Sequence, residues 1–231
     1  MAADTGRPLR RDAARNRERI LDAARQVFAE QGVHAPIEDV AKRAGVGVAT
    51  LYRRFPRRSE LVASAFADKM RDYANATEQA LAFDDAWEGF RWYVERVCEM
   101  QAGDHGLTDV LTMTFPNSPE LQEINDHVFR RFATLVTKAK KTGRLRKDFS
   151  TEDLPLILMA NAGVLAATGD VAPHAWRRVV HIVLQGLEAP TRGRLPDAPT
   201  PDEVLAAMRR PWADEPRPAR HRASRPPKSH Q

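Results

Sequence analysis

Between Pro36 and Pro56 the chain has room for two helices of about two turns each and for little other regular structure. The prolines fence the segment, and Gly45-Val46-Gly47 divides it. Ile37, Val40, Ala41 and Ala44 recur at helical spacing before the glycines. Leu51, Tyr52 and Phe55 anchor the segment after them, leaving Val46 to plug the turn. Ala41 is small where two helices must cross closely, and Gly45 supplies a backbone able to take positive φ. Two short helices across a tight glycine turn make a helix-turn-helix, expected over 37–44 and 48–54.

The rest of the chain reads as helix almost throughout, so the expected fold class is all-α. A first helix is expected over 12–31, with Ile20, Leu21, Ala24, Val27 and Phe28 on one face and Gly32 as its stop. Ser59 is a candidate cap for a long helix over 59–82. Further helices are expected at 84–101, 106–115, 119–142, 151–168 and 173–188, the last opened by Pro173. Residues 1–11 read as a flexible basic arm, 12–62 as the helix-turn-helix domain and 63–189 as a second helical domain. Nine of the 16 prolines fall in 190–231. That stretch has few large apolar groups, so it reads as a disordered tail with room for a short helix at 202–210.

Charge separates along the same boundaries. Residues 1–60 hold 13 basic and 8 acidic side chains, residues 61–189 hold 14 and 18, and residues 190–231 hold 9 and 5. Two basic ends flank an acidic middle, and a basic end beside a helix-turn-helix suits a polyanion. The single cysteine, Cys98, excludes an intrachain disulfide and points to a reducing compartment. The N-terminus has no apolar signal-like core, and no apolar run reaches a membrane span. A soluble cytoplasmic protein without membrane contact is the expectation.

If residues 36–56 read DNA, the second helix enters the major groove. Gly47, Val48 and Ala49 are small enough for close approach, and Val48 and Ala49 suit thymine methyl groups. Arg53 is the candidate for a guanine contact. Thr50 and Tyr52 have hydroxyls for phosphate oxygens, and Arg57 and Arg58 are placed to clamp the backbone. Arg7, Arg10 and Arg11 would reach an adjacent minor groove or phosphates. Tyr52 also fits a core position, and Arg54 fits an ordinary exposed arginine as well as a contact.

Residues 12–62 resemble the DNA-binding domain of the TetR family of bacterial regulators. The resemblance is carried by Ile20-Leu-Asp-Ala-Ala, Phe28-Ala-Glu-Gln-Gly, Ile37-Glu-Asp-Val-Ala-Lys-Arg-Ala-Gly-Val and Thr50-Leu-Tyr-Arg-Arg-Phe. It implies an all-helical homodimer whose second domain binds a small-molecule ligand that releases DNA. It also implies phosphate contacts at Thr50, Tyr52 and Arg58. Two departures stand out: Ala35-Pro36 replaces a capping threonine or serine, and Gly47 stands where relatives often have serine. Phosphate binding therefore leans on the arginines.

Ala86-Trp-Glu-Gly-Phe and Cys98-Glu-Met-Gln resemble the C-terminal domain of the SbtR-like branch. Trp87, Phe90, Met100, Leu111 and Phe115 are candidate lining residues for an effector that is partly apolar. Ordinary core is the competing reading for each. Leu158, Leu165, Trp176, Val180, Val183, Leu184 and Leu187 are candidates for a two-fold, four-helix dimer interface.

No phosphate-binding glycine loop, zinc-type His pair or nucleophile elbow occurs. Asp104, His105, Asp109, His127 and His174 match no ligand spacing, and Asn125 and Asn161 read as polar spots in a pocket or core. Neither enzyme, metal nor cofactor is expected. The reading is a ligand-responsive repressor that binds a palindromic double-stranded DNA operator as a homodimer. The alternative is a helical ligand-binding or scaffold protein that does not bind DNA.

Overall fold

The computed structural model describes residues 6–114, 118–190 and 193–209, with side chains from Ala14 onward. The helices are α1 (Gly6–Gln31), α2 (Ile37–Ala44), α3 (Val48–Arg54), α4 (Arg58–Leu81), α5 (Ala86–Ala102), α6 (His105–Leu111), α7 (Pro119–Lys141), α8 (Asp153–Thr168), α9 (Ala175–Leu187) and α10 (Pro201–Met208). No strand occurs among the described residues, so the all-α expectation holds.

The helix ends follow from local chemistry. Gly32 and Gly45 adopt φ of 80° and 64°, and these left-handed turns stop α1 and α2. Asp85, Asp104 and Ser118 accept amide bonds at the starts of α5, α6 and α7. The expected Ser59 cap is a correction. Helix α4 starts at Arg58 without a side-chain cap, and Ser59 is buried inside its first turn. Pro36 precedes α2 and no side chain caps that helix, as the Ala35-Pro36 departure implies.

Helix α1 begins at Gly6, so residues 6–11 extend the helix where an arm was expected. The side chains of Arg7, Arg10 and Arg11 lie outside the described residues. Helices α1–α3 form the small N-terminal unit. Helix α4 runs through the expected boundary at 62/63 and is buried on both sides of it, at Leu61, Val62, Ala65, Phe66, Met70, Tyr73 and Ala76. Phe66 stacks on Phe28 of α1 with centroids 6.4 Å apart. One core therefore runs through both units.

The larger unit is built around aromatic contacts. Phe90 lies 6.0 Å from Phe132 and 5.2 Å from Phe149, and Trp87 stacks on Phe90 at 5.7 Å. Gln101 and Asn161 form a buried polar tie between α5 and α8 through a 2.9 Å bond. Cys98 is fully buried, and burial pushes its thiol up to about 12, so it is an inert core residue.

The tail is the second correction. Backbone bonds from Arg146 N to Leu187 O and from Ala189 N to Arg144 O, at 3.0 and 2.7 Å, bring the end of α9 beside the α7–α8 loop. There Asp148 accepts from the Leu195 amide at 2.8 Å. Thr200 and Glu203 then form a reciprocal capping box that starts α10. With few large apolar groups the tail is expected to be disordered, but 193–209 dock through these backbone and charge contacts. Residues 210–231 lie outside the described residues.

Candidate nucleic-acid interface and ligand cavity

Leu51 and Phe55 of the second short helix are buried, which fixes the opposite face of α3 outward. Gly47, Ala49, Tyr52, Arg53, Arg54 and Arg57 lie on that exposed surface. Val48 and Thr50 are half-buried, with Val48 packed on the core. Tyr52 is 39% exposed, so it lies outside the core. The turn is held by the Val46 amide, which donates to Ala41 O at 3.0 Å, and by Arg19, whose guanidinium donates to Ala44 O at 2.6 Å. Arg17 packs over the Phe55 ring at 5.1 Å. Arg43 forks onto Glu30 at 2.6 and 2.9 Å, and that pairing holds the Glu30 carboxyl below its usual range.

Arg58 corrects the expected phosphate clamp. It is turned inward and only 6% exposed. Its guanidinium donates to Val33 O at 3.1 Å and Ala35 O at 2.6 Å, so its charge satisfies the carbonyls of the α1–α2 turn. Arg57, its neighbour, is exposed.

That same turn meets α6. The Val33 amide donates to Asp109 Oδ2 at 3.0 Å. Gly106 sits against Phe28 O and the Phe66 ring, where an added Cβ would come within 2.8 and 2.4 Å. Asp104 caps α6 through the Leu107 amide at 2.9 Å and pairs with Lys69 of α4. Helix α6 is thus fastened to α4 at its start and to the α1–α2 turn at its middle. Asp104 and Asp109 are occupied by these bonds. Glu78 engages His127 at 3.0 Å and Arg131 at 2.6 Å. No group of three metal-ligating side chains occurs among the described residues.

The next residues of α6 face a cavity of about 480 Å³. Val110, Leu111 and Met113 form one wall; Val128, Phe129 and Phe132 of α7 form another. Leu154 and Leu158 of α8, Tyr73 of α4 and Val204, Leu205 and Met208 of α10 close it. The polar groups along it are Thr114, Gln122, Asn125, Asp126, Thr151, Glu152 and Arg209. Burial pushes the Glu152 carboxyl up, but hydrogen bonds from the Ser150 hydroxyl, its own backbone amide and the Thr151 hydroxyl together outweigh it and hold the group below its usual value. The volume and mainly apolar walls fit a small-molecule site.

Of the expected lining residues, Leu111 faces this cavity. Trp87 and Phe90 do not: both are fully buried in the aromatic packing. Met100 packs partly buried on the core away from the cavity, and Phe115 lies outside the described residues. Sequence reading missed the contribution of α10. The Thr200-Pro-Asp-Glu203 capping-box spacing was its available signal.

Residues 20–65 match the model for bacterial regulatory proteins of the tetR family, and residues 85–189 match the C-terminal domain of SbtR-like transcriptional regulators. The chain belongs to the TetR family. The fatty acid metabolism regulator protein of Bacillus subtilis is 32% identical over 111 residues, covering 46% of this chain and 57% of that protein. A helix-turn-helix transcriptional regulator of Staphylococcus aureus is 43% identical over 54 residues, 23% of this chain and 29% of that protein. The chain therefore spans about half or less of these relatives' length. The solved FadR of Bacillus subtilis with stearoyl-CoA superposes with a TM-score of 0.57 at 20% identity, covering 76% of this chain and 99% of that one. FadR of Bacillus halodurans gives 0.53 at 24% identity, with the same coverage. These two share the fold.

In this TetR-family protein the expected dimer residues mostly point the other way. Leu158, Trp176, Val180, Leu184 and Leu187 are buried within the protomer, and Leu158 lines the cavity. Leu165 and Val183 are half-buried. Helical spacing picks out the inner stripe of α8 and α9, because an apolar stripe packs on its own protomer first. The outer stripe is different. Helix α8 is apolar on nearly every side, and Leu156, Ala160, Gly163 and Ala167 lie exposed on one face. Ile182 and Gly186 are exposed on α9, and nothing lies within 4 Å of a Cβ built at either Gly163 or Gly186. No described helix is long and apolar enough to cross a membrane.

Proposed function

We infer that this TetR-family regulator is a homodimeric repressor that reads a partly palindromic operator and leaves it when a small, mainly apolar effector fills the cavity. The observation that carries this reading is the double role of α6. Val110 and Leu111 face the cavity, while Asp109, between Thr108 and Val110, holds the turn that leads into α2 and α3. A ligand that favours one position of α6 thereby favours one position of the reader, through its differential affinity for the two states. One half-site per subunit places two α3 helices in successive major grooves.

Ala49, Tyr52 and Arg53 share the outward face of α3. Arg53 reads a guanine edge, Tyr52 and Arg57 hold phosphates, and Arg54 adds charge at the flank. Gly47 permits close approach, while Val48 and Thr50 reach the groove only in part. The dimer forms through the outer stripe of α8 and α9, because that apolar face is open in the single chain. The protein acts in the cytoplasm, where its DNA is.

Stearoyl-CoA, bound by the Bacillus subtilis neighbour, is the first effector to test, since an acyl chain suits the walls of the cavity. Selection from random DNA gives the operator, and fluorescence anisotropy against salt gives its affinity. The reading expects salt-sensitive binding of a palindrome and a weaker complex with effector present. Failure to enrich any sequence would overturn it and leave a helical ligand-binding protein without DNA.

A further inference from the structure

The cavity has one wall made from outside the bundle. Helix α10 lays Val204, Leu205 and Met208 over it, and the Thr114 amide donates to Met208 O at 3.1 Å at the far end. At the near end the Leu195 amide donates to Asp148 Oδ2 at 2.8 Å, and Arg146 donates to Gly193 O at 3.1 Å. Between the anchor and α10 runs Pro196-Asp-Ala-Pro-Thr200, a stretch without regular structure.

The hold on α10 is weak compared with the other walls. Helix α10 buries one side chain, Val204, whereas α9 buries Trp176, Val180, Leu184 and Leu187. Leu205 is 41% exposed, and Phe129, also in the cavity lining, is 52% exposed. Lifting α10 would uncover Met113, Val128 and Leu154, an apolar groove that water covers badly. The helix carries its own capping box, so its first turn does not depend on the bundle.

We propose that α10 is the gate of the cavity. It swings about the Asp148 anchor, admits an apolar molecule bearing a hydrogen-bonding end group, and closes with Val204, Leu205 and Met208 on the ligand. Asn125, Thr151 and Glu152 are the groups offered to the polar end. The proposal rests on this cavity being the effector site, and its test is separate from DNA release.

Stopped-flow fluorescence of 1-anilinonaphthalene-8-sulfonate reads entry and exit directly. The full chain is compared with one ending at Arg209, one ending at Pro199 and full-length Val204→Asp. A closed gate slows both directions, because only the open fraction admits the dye. Association and dissociation rate constants should both rise about tenfold or more in the chain ending at Pro199 and in Val204→Asp. The chain ending at Arg209 should match the full chain. Equal association rates in the chains ending at Pro199 and Arg209 would overturn the gate, as would a rise in dissociation alone. Should the shorter chain fail to fold by circular dichroism, Val204→Asp decides on the same two rates. The operator assay reports separately on whether the cavity is the effector site.

Discussion

The Val33 amide and the Asp109 carboxylate meet at 3.0 Å, joining residues 76 positions apart in sequence. Val33 is fully buried, and an added Cβ at neighbouring Gly32 would lie 2.7 Å from the same carboxylate oxygen. Asp109→Ala leaves a buried amide without its acceptor, which costs about 1–3 kcal/mol. Urea denaturation should show that loss. A change under about 0.5 kcal/mol would mean that water enters the junction and the α6 linkage is loose.

Arg57 and Arg58 are adjacent and should behave oppositely. Arg58→Ala removes the donor to two carbonyls of the α1–α2 turn and should lower stability by about 2 kcal/mol or more. Arg57→Ala should leave stability alone and reduce the slope of log affinity against log salt by about one. Thermal melts and salt titrations of operator binding separate the two. Equal salt slopes in wild type and Arg57→Ala would remove Arg57 from the interface.

The reader was legible in sequence because its signals are local. Gly32, Gly45, Pro36 and Pro56 mark the ends of α1 to α3, and each apolar position of α2 and α3 has one available interior. Arg58 was not legible. An arginine after Arg57 looks like a surface charge until the carbonyls of Val33 and Ala35, more than twenty residues earlier, are brought to it. The cavity was harder still. Trp87 and Phe90 have the composition of lining residues, but Phe90 packs on Phe132 and Phe149, and Trp87 stacks on Phe90. Spacing also cannot tell the inner stripe of α9 from its outer one, since Trp176 and Ile182 are both apolar.

On α3, Tyr52→Phe keeps the ring and deletes the hydroxyl. The fold should be unchanged because the residue is exposed, while operator affinity should fall about tenfold at low salt, a loss of about 1.4 kcal/mol. Arg53→Ala should instead cost about 1–3 kcal/mol on the preferred operator and flatten preference at one base position. Selected sequences from the two variants test this: a preserved base preference in Arg53→Ala would move the guanine contact elsewhere.

Asp148 gives a pH dependence with a definite sign. The Arg146 guanidinium, at 2.6 Å, and the Leu195 amide hold its carboxyl well below the usual range. Its folded value is below its unfolded one, near 3.9, so its stabilising part is complete above about pH 5 and is lost as pH falls through the folded value. Asp148→Asn should therefore melt lower than wild type at pH 7, and the gap should close in strong acid. A gap that stays constant down to about pH 2 would show that the charge of Asp148 is not what holds the segment.

The outer stripe of α8 and α9 makes the strongest demand on the dimer reading. Ile182 is 57% exposed and Leu156 43% exposed in the single chain, beside Ala160 and Gly163, which allow close helix approach. In a two-fold interface each residue occurs twice, so Ile182→Glu places two carboxylates in one apolar contact. Burying an unpaired charge there is far costlier than losing the contact of the isoleucine. Light scattering should then give a mass near 25.9 kDa in place of twice that value. Operator binding would lose its second anchored half-site, with a fall of about a hundredfold or more. Because Ile182 has little protomer packing to lose, the helical signal and melting cooperativity should persist. A variant that still dimerises and still binds its operator would place the interface on another face of the molecule.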